Sequence, residues 1–178
     1  MRYAAFLRAV NVGGHVVKMD ALKKLFVKLG FTNVETFIAS GNVVFETPSR
    51  AAGALEQRIG SAIERALGYE VVTFLRTSNE LADIAAYVPF RKPVDTPTFL
   101  VGFLHSPLNA GAVKKLMAFA SAQDEFHVRG REMWWRSSIG QGKSVFSNKV
   151  FEKALGVRTT LRNVRTVRAM AEKWGEAG

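Results

Sequence analysis

Val34-Glu-Thr-Phe-Ile-Ala-Ser-Gly-Asn-Val-Val-Phe45 is the stretch on which the fold turns. Two short apolar runs, Val34–Ala39 and Val43–Thr47, flank Ser40-Gly41-Asn42. β-prone residues on both sides of a glycine-centred turn predict a hairpin, since glycine supplies the positive φ that tight turns require. The segments outside it change period. Upstream, Met19, Leu22, Leu25, Phe26 and Leu29 fall at i, i+3, i+6, i+7 and i+10, one stripe of a helix that Gly30 ends. Downstream, Leu55, Ile59, Ile63 and Leu67 keep a spacing of four until Gly68. A strand-like run, Arg2–Val12, precedes all this, and Val71–Leu75 follows it. The order is β-α-β-β-α-β, the ferredoxin-like arrangement.

Beyond it, Thr77-Ser-Asn-Glu80 is a capping box that starts a helix running to about Val88, before Pro89. Arg91-Lys-Pro-Val-Asp-Thr-Pro97 reads as a linker. The order then begins again. Thr98–Leu104 reads as a strand, Ala110–Ser121 as a helix, and Glu125–Arg129 with Glu132–Ser137 as a hairpin around Gly130. Helices over Ser147–Leu155 and Leu161–Trp174 follow, the last one capped by Thr160. The expected fold is α+β with two related lobes, β-α-β-β-α-β and then β-α-β-β-α-α. Their bounds are 1–76 for the ferredoxin-like lobe, 77–97 for a helix and linker, and 98–178 for the second lobe.

Composition narrows the function classes. The chain has 178 residues, 48% of them hydrophobic, which is enough for a real core. The absence of Cys removes disulfides, thiolate metal sites and Cys nucleophiles together. His15, His105 and His127 have no metal-ligand spacing, so neither a metal nor a cofactor is expected. No apolar run approaches the roughly 20 residues of a membrane span. The N-terminus has no signal-peptide pattern, and the expected setting is cytoplasmic. Carboxylates are sparse and mostly sit where helix faces meet water, such as Glu56, Glu64 and Glu172, which argues against acid–base catalysis.

Charge is uneven. Arg129–Gly178 carries eleven Lys/Arg against four Asp/Glu, +7 of the net +10. Such a concentration favours a phosphate-bearing or polyanionic partner. Within it, Gly140-Gln-Gly-Lys-Ser144 lacks the spacing of a nucleotide-hydrolysing phosphate loop. Lys143 and Ser144 remain candidates to hold one phosphate. On the final helix, Arg162, Arg165 and Arg168 share the side opposite Val164, Val167, Met170 and Trp174. Arg162 and Asn163 would lie in its first turn beside Thr166. Trp134 and Trp135 point to opposite strand faces, so one is expected in the core and the other exposed beside Arg136 as a base-stacking platform. In the first lobe, Asn11, Gly13, Gly14 and Lys18 form a loop after a strand, and Ser40 and Asn42 flank the hairpin turn. Ser40-Gly-Asn-Val-Val-Phe45 lacks the paired aromatics of an RNA recognition motif.

Three segments together resemble the domain-of-unknown-function-1697 family of bacterial proteins. They are Leu7-Arg-Ala-Val-Asn-Val-Gly-Gly14, Gly30–Phe45 and Thr159-Thr-Leu-Arg-Asn-Val-Arg-Thr-Val167. The family's last motif usually reads Thr-x-Arg-Asn-Trp-x-Thr-Val, and this chain has Val164 at the Trp position. The resemblance implies a two-lobed α+β fold and a bacterial, cytoplasmic setting. It implies no activity. Its recurring polar positions here are Asn11, Gly13, Gly14, Ser40, Gly41, Asn42, Lys143, Ser144, Arg162, Asn163 and Thr166. Two functional expectations follow. The first is binding of a phosphate-bearing ligand, nucleic acid foremost, through the cationic second lobe. The alternative is a small-molecule enzyme or sensor with a cleft between the lobes.

Overall fold

In the computed structural model, which describes residues 1–11, 13–38, 41–91 and 96–176, the chain divides into two units. One comprises Met1–Ala85 with Ala169–Gly178, the other Ala86–Arg168. The α+β, two-lobed expectation holds.

The first unit contains β1 (Arg2–Leu7), α1 (Met19–Lys28), β2 (Thr32–Thr36), β3 (Asn42–Glu46), α2 (Ala52–Leu67), β4 (Thr73–Thr77) and α3 (Ser78–Ala86). Its antiparallel sheet has the order β2-β3-β1-β4. Each crossover helix therefore joins parallel strands separated by a third, the split βαβ arrangement. β1 has a neighbour on both sides, and Tyr3 through Leu7 are buried on both of its faces, as their unbroken apolar run predicted. Leu22 and Phe26 of α1 and Leu55, Ile59 and Ile63 of α2 close one face over Ala5, Leu7, Phe45 and Leu75. Fully burying a side chain such as Phe26 or Ile59 contributes about 1.5–3 kcal/mol. Phe26→Ala would leave a cavity as well as lose that transfer energy, at a cost of about 3–5 kcal/mol.

Local signals behave as expected here. The Thr77 N–H donates to Glu80 Oε2 (2.8 Å) and the Glu80 N–H donates to Thr77 Oγ1 (3.2 Å), a reciprocal capping box. Gly41 in the hairpin turn has φ +76°, and a Cβ there would meet Leu7 Cβ at 3.2 Å, so both conformation and space demand glycine. The end of the last helix, α6 (Val164–Trp174), is fastened to β2. Lys173 Nζ and Trp174 Nε1 donate to the two oxygens of Glu35 at 2.8 and 3.2 Å.

The second unit repeats the order with β5 (Thr98–Phe103), α4 (Ala110–Met117), β6 (Asp124–Arg129), β7 (Glu132–Ser137), α5 (Asn148–Leu155) and β8 (Thr160–Asn163). Its sheet order, β6-β7-β5-β8, matches that of the first. The side chains of Asn109 and Ser147 cap α4 and α5 at their N-termini, accepting from Ala112 and Val150 backbone N–H groups. Leu116, Phe126, Met133, Trp135, Phe146 and Phe151 form the core under those helices.

One element corrects the sequence reading. Thr160–Asn163 is a strand, not the first turn of the final helix, and α6 begins only at Val164. β8 pairs with β5 from Leu100↔Asn163 to Phe103↔Thr160. Without it, one edge of β5 would have unpaired backbone donors and acceptors, and that non-local pairing outweighs a helix-compatible spacing. The second lobe is thus β-α-β-β-α-β like the first, with α6 appended.

Candidate functional site

The sheet of the second unit assigns each basic residue to a face. Register places Arg136 of β7 opposite Phe99, and Arg162 of β8 opposite Val101. Phe99 and Val101 lie two apart on β5, so both arginines project from the face opposite the α4–α5 core. Much of that face is buried. Trp134 is 1% exposed, and Arg136 and Arg162 are each 8% exposed. Arg136 is ion-paired with Glu125 and lies 4.4 Å above the Phe90 ring. Arg162 donates through Nη1 to Thr160 Oγ1 (2.7 Å) and to the Leu161 carbonyl (2.9 Å). Burial pushes its guanidinium down to about 10, which still leaves it charged at neutral pH.

Two expectations fall with this geometry. Trp135 is also buried, in the α4–α5 core, so neither indole is an exposed stacking platform beside Arg136. Alternation along a strand separates two residues to opposite faces but says nothing of whether each face is covered. Arg162 likewise is not part of an exposed helical stripe, since it belongs to β8 and is buried.

Arg165 and Arg168 remain exposed, in the first turns of α6. Asn163 Oδ1 accepts from the Arg165 N–H at 2.9 Å, which makes Asn163 the side-chain cap of this helix. A cleft of about 390 Å³ opens here, lined by Thr96, Pro97, Phe99, Asn163, Val164, Arg165 and Arg168. Val164, at the position where the related motif carries Trp, is 5% exposed and serves as part of the wall. Thr166 is half-buried. The Gly140–Ser144 turn adjoins the cleft, since a Cβ on Gly140 would lie 3.9 Å from Pro97 Cγ. The Gly140 carbonyl accepts from both Lys143 and Ser144 N–H groups, and Lys143 is exposed. Ser144 turns inward instead and donates to Asp124 Oδ2 at 2.9 Å.

The start of α6 is electropositive. Its first turn holds no acidic residue and does hold Arg165. The N-terminus of a helix already carries partial positive charge, so a cation is disfavoured there and an anion favoured. Two guanidinium groups beside a helix N-terminus around one cleft can bind an oxyanion.

The remaining candidates belong to the first unit. Asn11, Gly13, Gly14 and Lys18 are exposed, and the two glycines have φ +65° and +84°. Asn11 Oδ1 accepts from the Val17 N–H at 2.8 Å, folding the loop on itself. Asn42 is fully buried and donates to the Phe37 carbonyl at 2.9 Å, so it braces the hairpin. Ser40 lies outside the described residues, as do positions 92–95 of the linker.

One chemistry-bearing pair went unread in the sequence. Tyr87 Oη and His127 Nε2 are 2.7 Å apart, with the Arg129 guanidinium 4.4 Å over the Tyr87 ring. Burial, and then the Arg129 charge, holds His127 below the ordinary imidazole range. Forty positions separate the two residues, and no spacing rule connects them. Among the described residues no group of three or more His, Cys, Asp or Glu is placed to hold a metal, and no helix is long and apolar enough to cross a membrane.

Comparison with known proteins bears on the fold. The profile of the family described as "Protein of unknown function (DUF1697)" matches residues 1–134. A search of curated proteins returns no match. Among solved structures, the conserved bacterial protein SP0830 from Streptococcus pneumoniae is similar at 20% identity, with a TM-score of 0.72 and 97% of each chain covered. At that identity the likeness speaks for the fold alone.

Proposed function

The chain belongs to the DUF1697 family of proteins of unknown function, and we propose that this member binds a phosphate-bearing ligand through its second unit, nucleic acid foremost. The observation that carries the reading is the placement of Arg165 and Arg168 on a polar cleft at the start of α6, a helix whose first turn holds no acidic residue. In this reading one phosphate sits in the cleft. Arg165 and Arg168 supply charge-assisted hydrogen bonds, Asn163 and Thr96 line its wall, and Lys143 approaches from the adjoining turn. Arg136, Arg162 and Ser144 keep the frame rather than touch the ligand.

Nucleic acid is favoured over an isolated phosphate because the second unit carries further exposed cations, including Lys143, Lys149 and Arg158. With both tryptophans buried, recognition rests on the backbone and not on stacked bases. The test is a titration of short single- and double-stranded oligonucleotides over a salt series. A log–log slope of about −2 to −4 is expected for three or four phosphate contacts. Absence of binding at low salt would remove the proposal.

A second reading keeps the same cleft but fills it with a nucleotide or sugar phosphate. It is favoured by the volume of about 390 Å³, which falls within the small-molecule range of about 300–1,000 Å³. A thermal-shift screen of such compounds separates the two, because a ligand bound only by the native state raises its stability.

A further inference from the structure

The helix layer of the first unit carries a surface that the phosphate reading does not use. α1 turns Leu22 and Phe26 into the core, and its next face presents Leu25 and Leu29 partly exposed toward α2. Between the two helices lies a groove of about 520 Å³. Its existence follows from side-chain size. Ala21, Ala62 and Ala66 stand where larger residues would fill the space between the helices, so the floor is shallow and apolar. Lys24, Lys28 and Arg65 form the rim. The acidic neighbours Asp20 and Glu64 do not line it. Arg58 donates to the Leu29 carbonyl at 2.6 Å and lies 5.5 Å from the centre of the Phe31 ring.

We propose that this α1–α2 groove docks an acidic amphipathic helix of a partner protein. From Ala21 to Leu29 the groove is about 12 Å long at 1.5 Å per residue, the length of two helical turns. An incoming helix with apolar residues at i, i+3, i+4 and i+7 would lay that stripe on the alanine floor, the helix-in-groove mode of recognition. Carboxylates flanking the stripe would meet Lys24 and Lys28 on one side and Arg65 on the other. Charge complementarity chooses this occupant: a basic or neutral helix would face three cations with nothing to offset them.

The probe is a fluorescein-labelled synthetic helix with Leu at those four positions and Glu at the flanking ones, followed by fluorescence anisotropy against the full chain. Saturable binding that weakens with salt is expected, with a scrambled peptide of equal composition binding at least about tenfold more weakly. Lys24→Glu/Lys28→Glu should reduce affinity at least about tenfold, and so should Ala66→Trp, which fills the groove without changing charge. All three positions are exposed, so an unchanged Tm checks that the variants fold. Equal binding of ordered and scrambled peptides, no binding, or full affinity in both variants would overturn the proposal. Binding of phosphatidylserine vesicles that Lys24→Glu/Lys28→Glu abolishes and Ala66→Trp leaves intact would also overturn it, in favour of a lipid surface.

Discussion

Ser144 Oγ donates to Asp124 Oδ2 across 2.9 Å, while the other oxygen of the same carboxylate accepts from Trp135 Nε1 at 2.8 Å. One buried carboxylate therefore anchors both the core indole and the glycine-rich turn that carries Lys143. Ser144 also accepts from the Phe146 N–H at 3.0 Å, which ends the turn. The position that sequence reading offered as a phosphate ligand is spent on the turn's own geometry.

Asp124→Ala should lower stability by about 1–3 kcal/mol, because it leaves the Trp135 indole N–H buried without its acceptor. Ser144→Ala should cost less, about 1 kcal/mol. Urea unfolding monitored by tryptophan fluorescence measures both. A larger loss for Ser144→Ala than for Asp124→Ala would show that the carboxylate is not the anchor.

Arg165→Ala/Arg168→Ala should weaken oligonucleotide binding at least tenfold, about 1.4 kcal/mol, and flatten the salt slope by about 2. Both side chains are exposed, so thermal stability should stay close to wild type. An unaltered slope in the double variant would show that these arginines do not touch phosphate.

Arg162→Ala should do the reverse. It removes the hydrogen bonds to Thr160 Oγ1 and the Leu161 carbonyl and empties a buried site, at a cost of about 1–3 kcal/mol. Oligonucleotide affinity, measured well below the midpoint of unfolding, should remain within about twofold of wild type. Intact stability with lost affinity would return Arg162 to the ligand.

His127 links stability to pH. Its folded pKa is depressed by burial and then by Arg129, so the unfolded chain takes up the proton first. The contribution is therefore complete above the unfolded value of about 6.5 and is lost as pH falls through it toward the folded pKa. Tm should drop more between pH 7.5 and pH 5 in wild type than in His127→Gln. Parallel pH profiles for the two proteins would show that the imidazole proton is not coupled to folding.

Much of this protein was written locally. The hairpin around Gly41, the stripes of α1 and α2 and the Thr77–Glu80 capping box are short-range patterns, since period, turn and cap are set by residues a few positions apart. Those patterns were sufficient for two repeated α+β lobes. What they left open is non-local. Thr160–Asn163 could be read as helix because its strand identity comes from pairing with β5, some sixty positions earlier. Trp134 and Trp135 could be sorted to opposite faces of β7, but only packed neighbours decide whether a face meets solvent, and here both are buried. The same holds for the charges. Sequence located the excess of arginine near the C-terminus, whereas tertiary structure put Arg136 and Arg162 inside and left Arg165 and Arg168 at the cleft, because desolvating a guanidinium is tolerated only where nearby acceptors or carboxylates meet it.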